Sequence, residues 1–187
     1  LLAGGQGTRL GFDKPKGMFD VRLPSRKSLF RLQGERLLAL ERLSNAVPGS
    51  IPWYVMTSAA TDAETRNYFR QQRFFGLKPT QVFFFEQGVA PAFLDDGSIA
   101  LETKCRVAVA PNGNGGVYDA LSDSGALQDM QARKIKHVYQ YCVDNALVKV
   151  GDPEFIGFCS SEKADCASKV VPKSHAHEKV GVLAQCD

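Results

Sequence analysis

The sequence lacks the features that define several broad classes of protein. It has 23 Lys and Arg against 20 Asp and Glu, and a net charge of +3 is too small to indicate a nucleic-acid partner. No run approaches the roughly 18 apolar residues of a membrane span, and no basic stretch followed by an apolar run resembles a secretion signal. No convincing Ser/His/Asp or Cys/His arrangement is present either. The sequence therefore predicts a soluble globular protein without a nucleic-acid or membrane partner.

Cysteine spacing also excludes two kinds of stabilising site. The five cysteines form an odd set without a C-x-x-C pair, so neither a disulfide framework nor a zinc site is indicated. A reducing, cytoplasmic setting fits this usage best. The chain opens without Met on the apolar Leu1–Ala3 and closes four residues after the apolar run 180–183. We expect it to be part of a longer chain, cut within its strands.

Helix-like and strand-like stretches alternate along the chain. Ser28 is placed to cap a helix, because leucines then recur near the 3.6-residue period as far as about Ser44. Short apolar runs predict strands at 53–56 and 82–85, and Thr61-x-x-Glu64 predicts a capping box that opens a helix running to Gly76. Further predictions are a hairpin of 92–94 with 99–101, helices at 117–122, 127–133 and 153–160, and strands at 137–143 and near Val170 and Val180.

This alternation predicts an α/β fold with a largely parallel sheet covered by helices on both faces. Ligands of such open sheets bind beyond the carboxyl ends of the strands. Three loops follow predicted strand ends: 4–17, 86–91 and the segment from Asp144 onward. We therefore expect a binding site where these three loops meet.

The loop from Gly4 to Gly17 is the first candidate for binding an anion. It fits neither dinucleotide G-x-G-x-x-G, because Leu10 stands where the third glycine is needed, nor the P-loop, because no Gly-Lys-Ser/Thr follows. Glycines let the backbone approach a ligand closely, while Arg9 and Lys16 offer positive charge, so a polyphosphate is a suitable ligand. Residues 1–42 hold nine basic and four acidic groups. The alternative is a glycine-rich turn that only joins a strand to a helix.

Six segments together carry a more specific resemblance. They resemble, in order and across nearly all 187 residues, the eukaryotic UDP-N-acetylhexosamine pyrophosphorylases. Pro-Lys-Gly-Met and Asn-Gly-Asn-Gly-Gly favour the N-acetylglucosamine branch over the glucose branch. The family's chain is longer, so residues 1–187 resemble the N-terminal, nucleotide-binding part of a single catalytic domain. The segments are 2–11, 15–18, 23–30, 52–58, 112–118 and 142–145.

The resemblance implies a fold and a reaction. The fold would be a Rossmann-like, mostly parallel sheet similar to the nucleotide-diphospho-sugar transferases. The reaction would be attack of N-acetylglucosamine 1-phosphate on the α-phosphorus of UTP, assisted by Mg²⁺, to give UDP-N-acetylglucosamine and pyrophosphate. Such chemistry depends on positioning and charge neutralisation rather than on proton transfer. Two alternatives remain: another sugar 1-phosphate, such as N-acetylgalactosamine 1-phosphate, and a non-catalytic paralogue that binds uridine nucleotides.

Residue roles follow from the same resemblance. One group of residues would bind the uracil and sugar of UTP through backbone and amide groups: Leu2, Ala3, Gly4, Gly5, Gln87 and Gly113. Lys16 would contact the phosphates as a catalytic residue, and Arg9 would steady the departing β and γ phosphates.

Two further residues would complete the site. Asn114 would face the sugar phosphate, and Asp144 would hold Mg²⁺ next to the nucleotide as a hard oxygen ligand. Without the resemblance, a helix cap is the more common role for an Asp such as Asp144. One departure is Asn112, where many family members have Asp; a loop-shaping role is expected for it.

Overall fold

The computed structural model describes residues 1–178, 180–182 and 184, with the side chain of Arg9 excepted. The chain divides into two compact units, Leu1–Gly151 and Asp152–Asp187. Within the described residues, no helix has the length and apolar character needed to cross a membrane.

Helices and short strands alternate through the first unit, as an α/β pattern requires. The longer helices are α1 Leu29–Leu43 and α2 Asp62–Gln71, and the 3-10 turns include Thr8–Leu10, Lys16–Met18 and Asn114–Gly116. The strands are β1 Trp53–Thr57, β2 Val82–Glu86, β3 Val89–Pro91, β4 Leu101–Thr103, β5 Arg106–Val107 and β6 Val109–Pro111, and the remaining helices are α3 Val117–Asp123, α4 Ala126–Ala132 and, in the second unit, α5 Pro153–Ser161.

Four segments run parallel at the centre of the first unit. β1 and β2 pair in register from Trp53 opposite Val82 to the ends of both strands. Leu2 extends this arrangement through parallel bridges to Met56 on one side and Cys142 on the other. The other two sheets are antiparallel pairs, β3 with β6 and β4 with β5. The parallel arrangement predicted from the sequence is thus present at the centre, and antiparallel pairs accompany it.

Alternate residues of the four parallel segments pack against helices on opposite faces, because successive side chains of a strand point to opposite sides. One cluster joins Leu1, Ala3, Trp53, Val55 and Val143 to the apolar side chains of α1 and α2. The other cluster joins Leu2, Met56 and Phe85 to Val117 and Ala120 of α3. Helices therefore cover both faces of the parallel segments.

Most of the predicted elements are confirmed. α1 begins as predicted, because the Ser28 hydroxyl accepts a hydrogen bond from the Arg31 backbone N–H at 3.2 Å. Strands 53–56 and 82–85 and helices 117–122, 127–133 and 153–160 occur within about one residue of their predicted bounds. Phe93 and Ile99 form the bridge expected of the predicted hairpin.

Other predictions were wrong. Thr61 does not cap α2 through its side chain; its hydroxyl instead accepts a hydrogen bond from the Ser58 backbone at 3.1 Å. α2 ends at Gln71 rather than near Gly76, because Arg73, Phe74 and Phe75 adopt left-handed backbone angles with φ of +50° to +56°. The predicted strand 137–143 is reduced to the single bridge at Cys142, since its partner segment turns into the glycine-rich loop. Among the described residues no strand occurs near Val170 or Val180, and both valines are exposed; residues 179 and 183 of the second predicted strand lie outside the described residues.

Three hydrogen-bonded side chains, those of Tyr54, Asp129 and Arg133, join α4 to β1. Asp129 accepts hydrogen bonds from the Tyr54 hydroxyl at 2.6 Å and from Arg133 Nε at 2.7 Å. Burial opposes ionisation of Asp129, but the hydrogen bonds from Arg133 and Tyr54 outweigh it and hold the pKa of the carboxyl below its ordinary value. Burial and the neighbouring carboxylate raise the pKa of Tyr54, so the phenol remains a donor.

We expect Asp129→Asn to lower the free energy of unfolding by about 1 kcal/mol at neutral pH, because it removes a charge-assisted hydrogen bond. The folded-state pKa of Asp129 is lowered, so its contribution is present above the unfolded pKa and is lost as the pH falls through the folded value. The difference between wild type and variant should therefore shrink below about pH 4. Urea unfolding of wild type and variant at neutral pH and below about pH 4 tests this. The same difference in the free energy of unfolding at the two pH values would contradict it.

The second unit is organised around the start of α5. The Asp152 carboxylate accepts a hydrogen bond from the Glu154 backbone N–H at 3.2 Å and pairs with Lys169. Pro153 occupies the first helical position, where its fixed φ angle suits a helix start. The helix cap that follows residue 144 in sequence is therefore Asp152 rather than Asp144.

Candidate functional site

The carboxyl ends of the four parallel segments meet at one edge of the first unit. Gly4 follows the first segment, Ser58 follows β1, Gln87 follows β2, and Asp144 follows the segment that bridges Leu2. Hydrogen bonds connect three of these ends: Ser58 Oγ donates to the Gly4 carbonyl at 2.8 Å, and the Gln87 backbone N–H donates to the Thr57 carbonyl at 2.8 Å. The predicted convergence of loops is therefore present.

Gln87 and Gly113 lie in direct contact in this cluster. The Gln87 side-chain amide donates to the Gly113 carbonyl at 2.5 Å. Gly113 has a φ of +83°, a conformation that side chains disfavour. A Cβ at Gly4 would lie 2.9 Å from Gln87 Oε1, so the Gln87 amide lies directly beside position 4 of the glycine-rich loop. The two residues predicted to recognise a base thus lie beside the predicted nucleotide loop, together with Leu2 and Ala3 of the preceding segment.

Lys16 lies over the glycine-rich loop and beside Asp144. Its backbone N–H donates to the Gly5 carbonyl at 3.1 Å, and its side chain passes over the open side of Gly5, where an added Cβ would be in ordinary contact with it. Lys16 Nζ lies 3.2 Å from Asp144 Oδ2, across 128 residues of sequence. The Lys16 side chain is 25% exposed and the Asp144 side chain 59% exposed. The pair therefore faces solvent, where a ligand can reach it.

Asp144 is a single, accessible carboxylate. No group of three or more His, Cys, Asp or Glu side chains suited to a metal ion occurs among the described residues. This fits Mg²⁺, which is commonly held by one or two carboxylates together with substrate phosphates and water. Nearby, burial and then the Asp144 charge raise the pKa of the Cys142 thiol, so this cysteine is a poor nucleophile.

The Asn-Gly-Asn-Gly-Gly loop contains two asparagines, and each of them contacts a different neighbouring segment. Asn114 Nδ2 lies 3.9 Å from Cys142 Sγ, next to the segment that ends at Asp144. The Asn112 backbone N–H donates to the Gly88 carbonyl at 3.1 Å, and its side chain occupies the space where a Cβ of Gly116 would stand. These contacts support the loop-shaping role expected of Asn112.

These contacts bring the predicted site residues to one edge of the first unit, with the exception of Arg9, whose side chain is not described. Arg9 belongs to the 3-10 turn Thr8–Leu10, but its side chain is not among the described parts of the chain. Two contacts were missed from sequence. Ser58 bonds Gly4, and the buried Gln33 of α1 donates to the Val143 carbonyl at 3.0 Å. Ser58 ends the segment 52–58 that carries the family resemblance, but no role was expected of it there, and Gln33 lies outside all six segments.

Several known proteins are similar to this chain over nearly its whole length. A family model described as UTP–glucose-1-phosphate uridylyltransferase matches residues 1–187. The chain belongs to this family. Within the family, the human UDP-N-acetylhexosamine pyrophosphorylase-like protein 1 is 52% identical over 190 residues, which cover 100% of this chain and 38% of the human protein. The resemblance identified from the sequence motifs is therefore confirmed.

Two further proteins with N-acetylglucosamine in their names are also similar to this chain. UDP-N-acetylglucosamine diphosphorylase 1 of Arabidopsis thaliana is 50% identical over 192 residues, covering 99% of this chain and 38% of the plant protein. The uridine diphosphate N-acetylglucosamine pyrophosphorylase structure from Trypanosoma brucei, solved with an inhibitor, is 38% identical with a TM-score of 0.77, covering 88% of this chain and 35% of that one. The chain thus spans well under half the length of these relatives.

Proposed function

We propose that the full-length protein is a nucleotidyltransferase that forms UDP-N-acetylglucosamine and pyrophosphate from UTP and N-acetylglucosamine 1-phosphate. The observation that carries the proposal is the Lys16–Asp144 pair at 3.2 Å, which lies on the glycine-rich loop at the same edge of the parallel segments as the Gln87–Gly113 contact. A uridine base at Gln87 and Gly113 and a polyphosphate at Lys16 would then belong to one nucleotide. The names of the Arabidopsis and trypanosomal relatives support the choice of the amino-sugar branch.

We propose that each part of this cluster recognises one part of the substrates. Backbone groups of Leu2, Ala3, Gly4 and Gly5 hold the uridine, and the amide of Gln87 with the backbone of Gly113 recognises the uracil edge. Asn114 donates to the sugar phosphate. Base recognition by a site with fixed donors and acceptors is specific, because a wrong base leaves those groups unpaired beneath it.

The charged residues of the cluster would bind and stabilise the phosphates. Lys16 contacts the phosphates and offsets negative charge as the α-phosphorus is attacked, and Arg9 steadies the β and γ phosphates. Asp144 supplies the carboxylate for Mg²⁺, which when bound neutralises charge on the phosphate oxygens. The residues orient two anions and stabilise the leaving pyrophosphate, and no side chain is required as a general base.

We also propose the larger context of the chain. Residues 1–187 form the nucleotide-binding part of one catalytic domain with a Rossmann-like, mostly parallel sheet of the nucleotide-diphospho-sugar transferase type. The four parallel segments with helices on both faces support this. The protein would act in the cytoplasm on small anionic substrates, without nucleic-acid or membrane partners, which agrees with its weak net charge.

A turnover assay on the full-length protein tests the proposal. Pyrophosphate release from UTP with N-acetylglucosamine 1-phosphate, and much less with glucose 1-phosphate, is the expected result. Equal or greater release with N-acetylgalactosamine 1-phosphate would favour the broader sugar specificity. Nucleotide binding without turnover of any sugar phosphate would contradict the enzymatic proposal and indicate a non-catalytic binding protein.

Asp144→Asn tests the metal assignment separately. We expect the variant to need at least about tenfold more Mg²⁺ for half-maximal turnover, because the amide keeps the shape of the ligand but loses its charge. The matched control is Asp123→Asn, an exposed carboxylate at the end of α3. Activity titrated with Mg²⁺ at saturating UTP provides the measurement, and a wild-type Mg²⁺ requirement in Asp144→Asn would exclude this carboxylate as the ligand.

A further inference from the structure

Gln33 is a polar side chain in the core between α1 and the segment that ends at Asp144. It is 0% exposed, and its Nε2 donates to the Val143 carbonyl at 3.0 Å. Its Oε1 has no hydrogen-bond partner among the described residues. A buried oxygen without a partner is unfavourable, and an apolar side chain of similar size would avoid it. The bond to Val143 is therefore the feature that distinguishes glutamine from an apolar residue here.

Arg36 makes a second contact of the same kind one turn later on α1. Its Nη1 donates to the Val148 carbonyl at 3.1 Å. Residues Val143–Val148, which we call the Asp144 loop, are thus held at both ends by side chains of one helix. Within the loop, the Ala146 backbone N–H donates to the Asp144 carbonyl at 2.9 Å.

The same face of α1 also supports Lys16. Phe30 precedes Gln33 by three residues, so both side chains lie on one side of the helix. The Phe30 ring packs directly under Gly17, at the place where a Cβ of that glycine would lie 2.1 Å from the ring. One helix therefore underlies both members of the Lys16–Asp144 pair, through Phe30 on one side and Gln33 on the other.

We propose that Gln33 and Arg36 are positioning residues that hold the Asp144 loop on α1, so that Asp144 stays aligned with Lys16 for a metal-bound polyphosphate. The proposal rests on the proposed function, since it assigns these residues a role in that same site. Fixing a ligand through the backbone next to it restricts the carboxylate before substrate binds. Outer contacts of this kind commonly change metal affinity by 10-fold to 100-fold when removed.

The test compares Gln33→Met with Leu37→Met in the full-length protein. Both place methionine on the buried face of α1, but only Gln33→Met removes the hydrogen bond to Val143. We expect Gln33→Met to speed hydrogen exchange at the Asn145, Ala146 and Val148 amides by about fivefold to tenfold, the effect of one lost hydrogen bond. Leu37→Met should leave these rates unchanged, and urea unfolding shows whether both variants are folded.

Binding of Mn²⁺ in the presence of UTP, followed by electron paramagnetic resonance, supplies the second readout. Gln33→Met is expected to weaken Mn²⁺ binding by about tenfold or more, and Leu37→Met to leave it unchanged. Wild-type exchange rates and Mn²⁺ affinity in Gln33→Met would overturn the proposal. Should Gln33→Met fail to fold, Arg36→Met, at a partly exposed position, must speed exchange at Val148 and weaken Mn²⁺ binding for the proposal to stand.

Asp144→Asn separates failure of this proposal from failure of the proposed function. If Asp144→Asn binds Mn²⁺ more weakly than the wild type while Gln33→Met binds it with wild-type affinity, the positioning role alone is rejected. Unchanged Mn²⁺ binding in both variants rejects Asp144 as the metal ligand, and the positioning role with it.

Discussion

Replacing Lys16 with alanine in the full-length protein is expected to lower the rate of pyrophosphate release at saturating UTP by about 10² or more, the loss typical of one deleted charge-stabilising group. Lys16 Nζ lies 3.2 Å from Asp144, so its loss removes positive charge from the place where the polyphosphate would sit. It also leaves the Asp144 carboxylate without its partner, which repels the incoming phosphates. Steady-state kinetics with both substrates gives the measurement.

Lys14→Ala is the matched control for this prediction. Lys14 is exposed and lies two residues earlier, and its backbone carbonyl accepts a hydrogen bond from the Gly7 N–H at 2.9 Å, a contact that the substitution retains. We expect a change of about twofold or less, as for most surface substitutions. Equal losses in the two variants would show that general positive charge, and not the position of Lys16, supports turnover.

Gly17→Ala is expected to cost about 3 kcal/mol in the free energy of unfolding, at the upper end for an overpacked core. The new Cβ would lie 2.1 Å from the Phe30 ring. That ring is 0% exposed and packs edge-to-face on Phe69 with 4.9 Å between ring centroids, so it has little room to move. The 3-10 turn Lys16–Met18 must then shift, and we expect turnover to fall with stability.

Gly115→Ala controls for the loss of a glycine as such. Gly115 lies in the same compact unit, and a Cβ there would meet nothing within 4 Å. Its effect on the denaturation midpoint should therefore be small. A midpoint for Gly17→Ala equal to that of the wild type would show that Phe30 can withdraw from the added methyl group.

The sequence predicts elements well where the local signals agree. Leucine spacing and the Ser28 cap both indicate α1, and its bounds are confirmed. Local signals fail where tertiary contacts decide the outcome. The hydroxyl of Thr61 bonds the Ser58 turn instead of capping α2, and Phe74 and Phe75 end that region in left-handed conformations without a glycine signal.

In the candidate site, too, some features could be predicted from the sequence and others could not. The rule that ligands bind at the carboxyl ends of parallel strands predicts that Gly4, Gln87 and Asp144 come together, and they do. The supporting contacts of Ser58 and Gln33 could not be predicted, because they depend on which side chains the packing of β1 and α1 brings beside the loops. Residue type alone does not distinguish such a glutamine or serine from many others in the chain.

The central position of the Leu2 segment has a consequence for biosynthesis. Its two neighbours are Met56 and Cys142, so this segment is flanked on one side by a segment that is made much later. At ordinary translation rates, the roughly 140 residues that separate Leu2 from Cys142 take about 7 to 28 s to synthesise. During that interval the nascent chain exposes an unpaired strand edge, which is open to mispairing with other chains. Chaperone binding during translation would protect this edge until Cys142 emerges.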